Sequence, residues 1–385
     1  MNNTSASEDP QSSVYVGAPI LYYEKGHDSS YGTGTEEDAH TEQEAADHTV
    51  VTITQPGIYR ISGNLSMGQI AVDLGEDAIT DPNAVVTLIL DNTDITCTVA
   101  PAILFYRVYE CASEDTLSTW EASTTDAGAN IMIEDGTENT VRGSYVAGIY
   151  SPDTPDLLSE YSGAIYSRMS LNIGGGIDGT GRLSVTGDKK GLCSELHLTV
   201  NGAFISVTSQ DDGIYAQKDN RSVVTINGGD LTINAGLGDQ GYGIRSNGYL
   251  AINGGTVFAI ANGSSGSSGL NSLLGTYLNG GEIFTLGSQN SPVEEDSKQD
   301  YLAFLFSGTQ GPGSIISITD DMGMELMNYT SGREYTSLLY SSPQMQEDIS
   351  YTVSVNGQNM ESLSSENLSI PEGSSKNNSL PSTVS

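Results

Sequence analysis

The sequence predicts an all-β chain, a right-handed parallel β-helix with a small C-terminal β cap, and three observations carry that prediction. The tripeptide Asn201-Gly202-Ala203 returns as Asn227-Gly228-Gly229, Asn253-Gly254-Gly255 and Asn279-Gly280-Gly281, and 227−201, 253−227 and 279−253 are all 26. A fixed period of that size marks a repeat architecture, in which one unit cannot bury its apolar face alone. Apolar residues sit at i and i+2 on both sides of the tripeptide, as in Leu198/Val200 and Ile205/Val207, then Val224/Ile226 and Leu231/Ile233. That alternation places them on one face of a strand. A third apolar beat comes at Gly191-Leu192, Gly213-Ile214, Gly243-Ile244 and Gly269-Leu270. Three short strands per unit leave no room for a helix, so successive coils are expected to stack at roughly 4.8 Å. The asparagines recur at one turn position, where their amides can bond to the coils above and below while glycine supplies positive φ.

The elements follow in order along four expected segments. Residues 1–49 form an N-terminal leader (1–13), a short apolar stretch from Val14 to Tyr23, and an acidic loop from Gly26 to Asp47; together they are placed to cover the first coil. The β-helix is expected over 50–289, starting with Val51-Thr52-Ile53-Thr54, a turn at Gln55-Pro56-Gly57 and Ile58-Tyr59-Arg60-Ile61. It is interrupted at Cys111–Gly128, which carries Trp120, and at Ser151–Glu160. Insertions on a repeat array project from one side, where binding loops are expected. From 290 to 358 the period is lost, and strands at Leu302–Phe306, Ile315–Thr319, Glu325–Tyr329, Ser337–Tyr340 and Tyr351–Val355 make the cap. The Ser/Asn-rich stretch 359–385 reads as disordered.

Charge narrows the partners. Against 14 Lys+Arg stand 49 Asp+Glu, a formal charge of −35, which repels nucleic acid and anionic membrane. No apolar run is long enough to span a membrane. Met1–Ser13 lacks an apolar secretory core, and the acidic, Gly/Asn/Thr-rich composition points to an extracellular or cell-surface monomer whose signal is absent from this chain. Cys97, Cys111 and Cys193 show no metal-ligand spacing and read as structural thiols.

The acidic turns are candidates for calcium, which takes carboxylate, carbonyl and amide oxygens. Asp211-Asp212 is the sharpest pair, and Asp188 and Asp239 hold comparable positions before glycines on adjacent coils. Tyr215, Tyr242, Tyr249 and Tyr277 fall in the coils, and aromatic faces stack against pyranose C–H groups, so these four are the candidate carbohydrate contacts. No catalytic residue is assigned. A lyase would need a base beside a uronate, for which Lys189, Lys190, Lys218, Arg221 and Arg245 are available; a hydrolase would need carboxylates across the bond. Asn92-Thr93-Asp94 and Asp211-Asp212 lie too far apart in sequence to pair as one hydrolase site. His197 alternates out of the strand Leu196/Leu198/Val200 and is expected at the surface.

The chain resembles bacterial carbohydrate-binding-domain-containing proteins with a pectate-lyase-like right-handed parallel β-helix. The resemblance runs from about Val14 to Gly357 and rests on Val51 through Gly63, Gly68-Gln69-Ile70-Ala71-Val72-Asp73, Asp91 through Ala102, the Asp-Asp-Gly-Ile coil and the Asn-Gly-Gly coils. It implies an extracellular protein that binds plant-type polysaccharide without cleaving it, with calcium on acidic turns. Relatives often carry an acidic or amide residue after the Gly-Leu or Gly-Ile of each coil, where this chain has Cys193, Tyr215, Arg245 and Asn271. The expected function is therefore non-catalytic, calcium-assisted polysaccharide binding, with a pectate-lyase-like polysaccharide lyase and a surface adhesin as alternatives.

Overall fold

Strands begin wherever β-branched and apolar residues alternate with polar ones, and they stop at glycine or asparagine turns. The computed structural model describes residues 7–112, 119–150, 158–346 and 349–361. The start of the expected leader, part of each insertion and the tail from 362 onward lie outside them. The first half of the chain contains β1 (Val14–Val16), α1 (Glu42–Ala46), β2 (Thr49–Ile53), β3 (Gly57–Leu65), β4 (Gly68–Asp73), β5 (Val86–Cys97), β6 (Ile103–Arg107), β7 (Ala129–Ile133), β8 (Glu138–Gly143), β9 (Val146–Tyr150) and β10 (Leu158–Tyr161). The repeat region contains β11 (Gly163–Ser167), β12 (Leu171–Gly175), β13 (Arg182–Gly187), β14 (Lys190–Ser194), β15 (His197–Ser209), β16 (Ile214–Ala216), β17 (Val223–Asn234), β18 (Ile244–Ser246), β19 (Tyr249–Ile252), β20 (Thr256–Ile260), β21 (Leu270–Ser272), β22 (Gly275–Leu278) and β23 (Glu282–Gly287). The last part contains β24 (Tyr301–Gln310), β25 (Ile315–Thr319), β26 (Glu325–Thr330), β27 (Tyr335–Ser341), β28 (Thr352–Val355) and β29 (Gln358–Asn359).

The period of 26 is visible in the register: Ile205 pairs with Leu231, Leu231 with Val257 and Val257 with Ile283, all in parallel strands. The open right-handed parallel β-helix expected over 50–289 is nevertheless corrected. Six parallel strands close a circuit, β5-β7-β12-β15-β13-β8 and back to β5. The circuit closes because two strands do not stop at their asparagine turns. β5 pairs with β7 through Val86–Leu90 and with β8 through Asp94–Cys97. β15 pairs with β12 before its bend and with β13 after it. Each bend has a residue in the left-handed region, Asn92 (φ 54°) in β5 and Ala203 (φ 75°) in β15, which turns the chain a corner while the ladder continues. One strand thus serves two walls, giving a closed parallel barrel with peripheral strands in place of an open coil of three separate strands.

The interior of the circuit is a stack of aliphatic side chains. Leu88, Leu90, Ile133, Val141, Leu171, Ile173, Leu198, Val200 and Val207 are fully buried; each is worth about 1.5–3 kcal/mol relative to exposure. A nine-stranded sheet, β1-β2-β4-β6-β11-β14-β16-β18-β21, covers the same core from another side and is parallel except at β1–β2. At the C-terminal end β27 pairs antiparallel with β23 and β24, extending the larger sheet, while β26-β25-β28-β29 form a separate antiparallel sheet. Their side chains make a second core around Phe284, Leu302, Phe304, Leu338 and Tyr340. Near the N-terminus the acidic loop contains a short helix that the sequence reading missed. Its signal is a capping box, in which Thr41 and Glu44 satisfy each other's backbone N–H groups.

In the later repeats the strands do break at glycine. Gly255 has φ 84°, and a Cβ there would stand 2.6 Å from the Gly229 carbonyl oxygen. Gly255→Ala is expected to lower stability by about 1–3 kcal/mol, read as a shift in the midpoint of denaturant unfolding. An unshifted midpoint would show that the turn relaxes without strain.

Candidate functional site

Two surfaces gather polar and aromatic groups, one on each large sheet. On the nine-stranded sheet the register aligns Tyr166, Cys193, Tyr215, Arg245 and Asn271 across β11, β14, β16, β18 and β21. At the edge of this row lie Lys190, Asp211 and Asp212. Asp212 is fully buried; its Oδ1 accepts the Tyr242 N–H at 2.9 Å, and its Oδ2 is 3.2 Å from Lys190 Nζ and 3.7 Å from Arg245 Nη1. Lys190 also donates to Asp211. Burial opposes the ammonium charge, but the carboxylates of Asp212 and Asp211 more than reverse this, so Lys190 stays protonated beyond the usual lysine range. Burial holds the Asp212 carboxyl above its ordinary value despite the nearby cations.

Tyr215 lies between the two cations, with Lys190 Nζ and Arg245 Cζ each 5.1 Å from its ring centroid; Arg245 is also 5.2 Å from the Tyr242 ring. Burial raises the Tyr215 phenol, and Arg245 and Lys190 pull against it. Beside it opens a cleft of about 520 Å³ lined by Tyr161, Arg168, Glu195, Tyr215, Lys218 and Asp219. Eight of the 14 basic residues, Lys25, Arg107, Arg168, Lys189, Lys190, Lys218, Arg221 and Arg245, belong to this sheet or to the loops joined to it. That concentration offers an anionic ligand cations to meet, with Glu160, Glu195, Asp211 and Asp212 pairing several of them from the same face.

On the larger sheet, Asn201, Asn227, Asn253 and Asn279 form the stacked ladder the sequence suggests. Each Nδ2 donates to the Oδ1 of the preceding coil at 2.9 Å. The Trp120 insertion folds across this face, held by Thr124, whose hydroxyl donates to Asn172 and lies 2.6 Å from the Thr199 hydroxyl, from which it can accept. Trp120 stacks on Tyr277 with centroids 4.8 Å apart.

The candidate residues are thus divided. Tyr215 and Tyr242 flank Arg245 on one sheet, while Tyr249 and Tyr277, 6.1 Å apart, lie on the other beside Trp120. Asp211 and Asp212 meet at Lys190; Asp239 is in an exposed loop, and Asp188 is placed instead against Gly143, whose carbonyl its N–H reaches at 3.1 Å. Among the described residues no three His, Cys, Asp or Glu side chains converge to hold a metal ion. The Asp211–Asp212 pair does not fit calcium, because Lys190 already occupies the oxygens a dication would need. His197 is buried, contrary to expectation, and its Nδ1 accepts the Val223 N–H at 3.1 Å. Cys97 and Cys193 are buried thiols, pushed up to about 11 and about 12 by desolvation. Among the described residues no helix is long and apolar enough to cross a membrane.

This geometry corrects the expectation of a polysaccharide binder built on an open right-handed parallel β-helix. The circuit is closed, the four tyrosines do not share a surface, and the paired carboxylates are already neutralised from within. A structure described as the polysaccharide lyase-like protein from C. thermocellum, in a gadolinium derivative, is 22% identical over 61% of this chain and 80% of that chain, with a TM-score of 0.39. No curated protein matches the chain. A family described as carbohydrate-binding domain-containing protein matches residues 47–311, so the chain belongs to the carbohydrate-binding domain-containing proteins.

Proposed function

We propose that the protein works outside the cell on an acidic, uronate-bearing polysaccharide, by lyase-type elimination at the cleft of the nine-stranded sheet. The observation that carries this reading is Tyr215, a protonated phenol set between Lys190 and Arg245 at the mouth of the cleft, on the face where the basic residues of an acidic chain collect. Elimination needs a cation to neutralise the uronate carboxylate, an acceptor for the proton on C5 and a donor for the leaving oxygen. Lys218, a cation of the cleft lining, supplies the charge. Asp219, a carboxylate of the same cleft, takes the C5 proton, the C4–C5 double bond forms as the C4–O4 bond breaks, and Tyr215 gives its proton to O4. Proton exchange with water then resets both residues. No step depends on a metal.

The test is incubation with polygalacturonate, alginate and a neutral glucan while ultraviolet absorbance is followed for unsaturated product. Product from an acidic polymer alone is expected, and Tyr215→Phe is expected to slow its release about a hundredfold or more, the lower end of what a positioned acid contributes. Capture of the acidic polymer without product would overturn the lyase reading and leave recognition alone.

A further inference from the structure

We infer that the groove under Trp120, on the larger sheet, is a second binding site that takes a neutral, extended chain of β-linked hexoses. The groove has a volume of about 450 Å³ and is lined by Trp120, Thr199, Thr225, Asn227, Asn253 and Asn279, among others. It differs chemically from the basic cleft: its floor is amides and hydroxyls, and among the described lining residues Glu121 is the single anion and Lys298 the single cation. A neutral ligand with many hydroxyls fits such a floor better than a uronate does.

Three observations point to a chain-like ligand. The asparagine ladder repeats at the coil spacing, roughly 4.8 Å, which is close to the advance of one pyranose along an extended chain. Four rungs therefore span about three consecutive sugars. The ladder is polarised, every Nδ2 pointing to the preceding coil, and this leaves Asn279 Oδ1 buried and, among the described residues, without a hydrogen-bond partner at its end. A buried acceptor left unpaired costs about 1–3 kcal/mol, and a sugar hydroxyl arriving there would satisfy it. Beside that end, Trp120 is stacked on Tyr277, with Lys298 Nζ 5.8 Å from the indole centroid. An aromatic platform next to a hydrogen-bonding row is the combination that holds a pyranose by its C–H face and its hydroxyls together.

Trp120 is the only tryptophan in the chain, so its fluorescence reports on this groove directly. The intact chain is titrated with cellohexaose, mannohexaose and oligogalacturonate, with emission and calorimetric heat recorded together. A saturable response to a neutral hexaose is expected. Asn253→Ala, which removes one rung and both hydrogen bonds it makes in the ladder, should weaken it at least fivefold, and Trp120→Ala should weaken the calorimetric affinity at least tenfold with the circular dichroism unchanged. Tyr215→Phe should leave it unaltered, which separates this site from the cleft of the proposed elimination. Neither emission change nor heat with either neutral hexaose, or a response abolished by Tyr215→Phe, would overturn the inference.

Discussion

Lys190→Met is expected to lower stability by about 3–5 kcal/mol, the cost of stripping one partner from a buried ion pair. The methionine keeps the length and most of the volume of the aliphatic stem, so the loss isolates the charge. Lys190 is only 8% exposed, and Asp212 behind it is 0% exposed. Without the ammonium, Asp212 Oδ2 keeps only Arg245 at 3.7 Å, and the Asp211 carboxylate stands beside it as a like charge. A second substitution distinguishes this from simple misfolding: Lys190→Met with Asp212→Asn should regain part of the lost stability, because the orphaned charge is gone. The coupling energy of that double-mutant cycle is the quantity to measure. Strict additivity of the two substitutions would show that Lys190 stabilises by packing alone.

Acidification should destabilise the fold through His197. Burial holds its pKa at about 4, against 6.5 for an ordinary histidine. The unfolded chain therefore binds a proton that the folded chain refuses. Above pH 6.5 the residue is neutral in both states and has no effect. Stability then falls as pH drops from 6.5 towards 4, by about 2 kcal/mol at pH 5 and about 3 kcal/mol when the difference is complete. His197→Gln, whose amide oxygen can still accept the Val223 N–H, should remove that part of the slope. Thermal unfolding of both proteins from pH 8 to pH 4.5 tests this, and parallel curves would place the acid sensitivity elsewhere.

The site was legible where it rested on local periodicity. The asparagine column was visible as a repeated tripeptide, and its amide ladder follows because identical side chains at one period occupy one face at one spacing. The strands were visible for the same reason. What failed did so where a residue's fate depended on a neighbour distant in sequence. Asp211 and Asp212 read as a cation site, because nothing local shows that Lys190 reaches them from the preceding coil. His197 read as a surface residue, because alternation says only that it leaves the core of its own strand; the covering comes from other segments. The four tyrosines read together as candidate sugar contacts, and their spacing along the chain does not say which of two sheets each belongs to.

The sequence by itself determined the strand content, the 26-residue register between neighbouring repeats and the excess of negative charge, all of which follow from composition and from periods no longer than one unit. Only the tertiary structure decided that the parallel walls close on themselves. Whether a strand ends at Asn92 or Ala203, or turns the corner and continues its ladder, depends on whether partners such as β8 and β13 wait beyond the bend, and those partners come from elsewhere in the chain. The same closure places Lys190 over Asp212 and lays Trp120 across the asparagine ladder, because ion pairs and aromatic stacks between coils form only once the walls that carry them have been assembled.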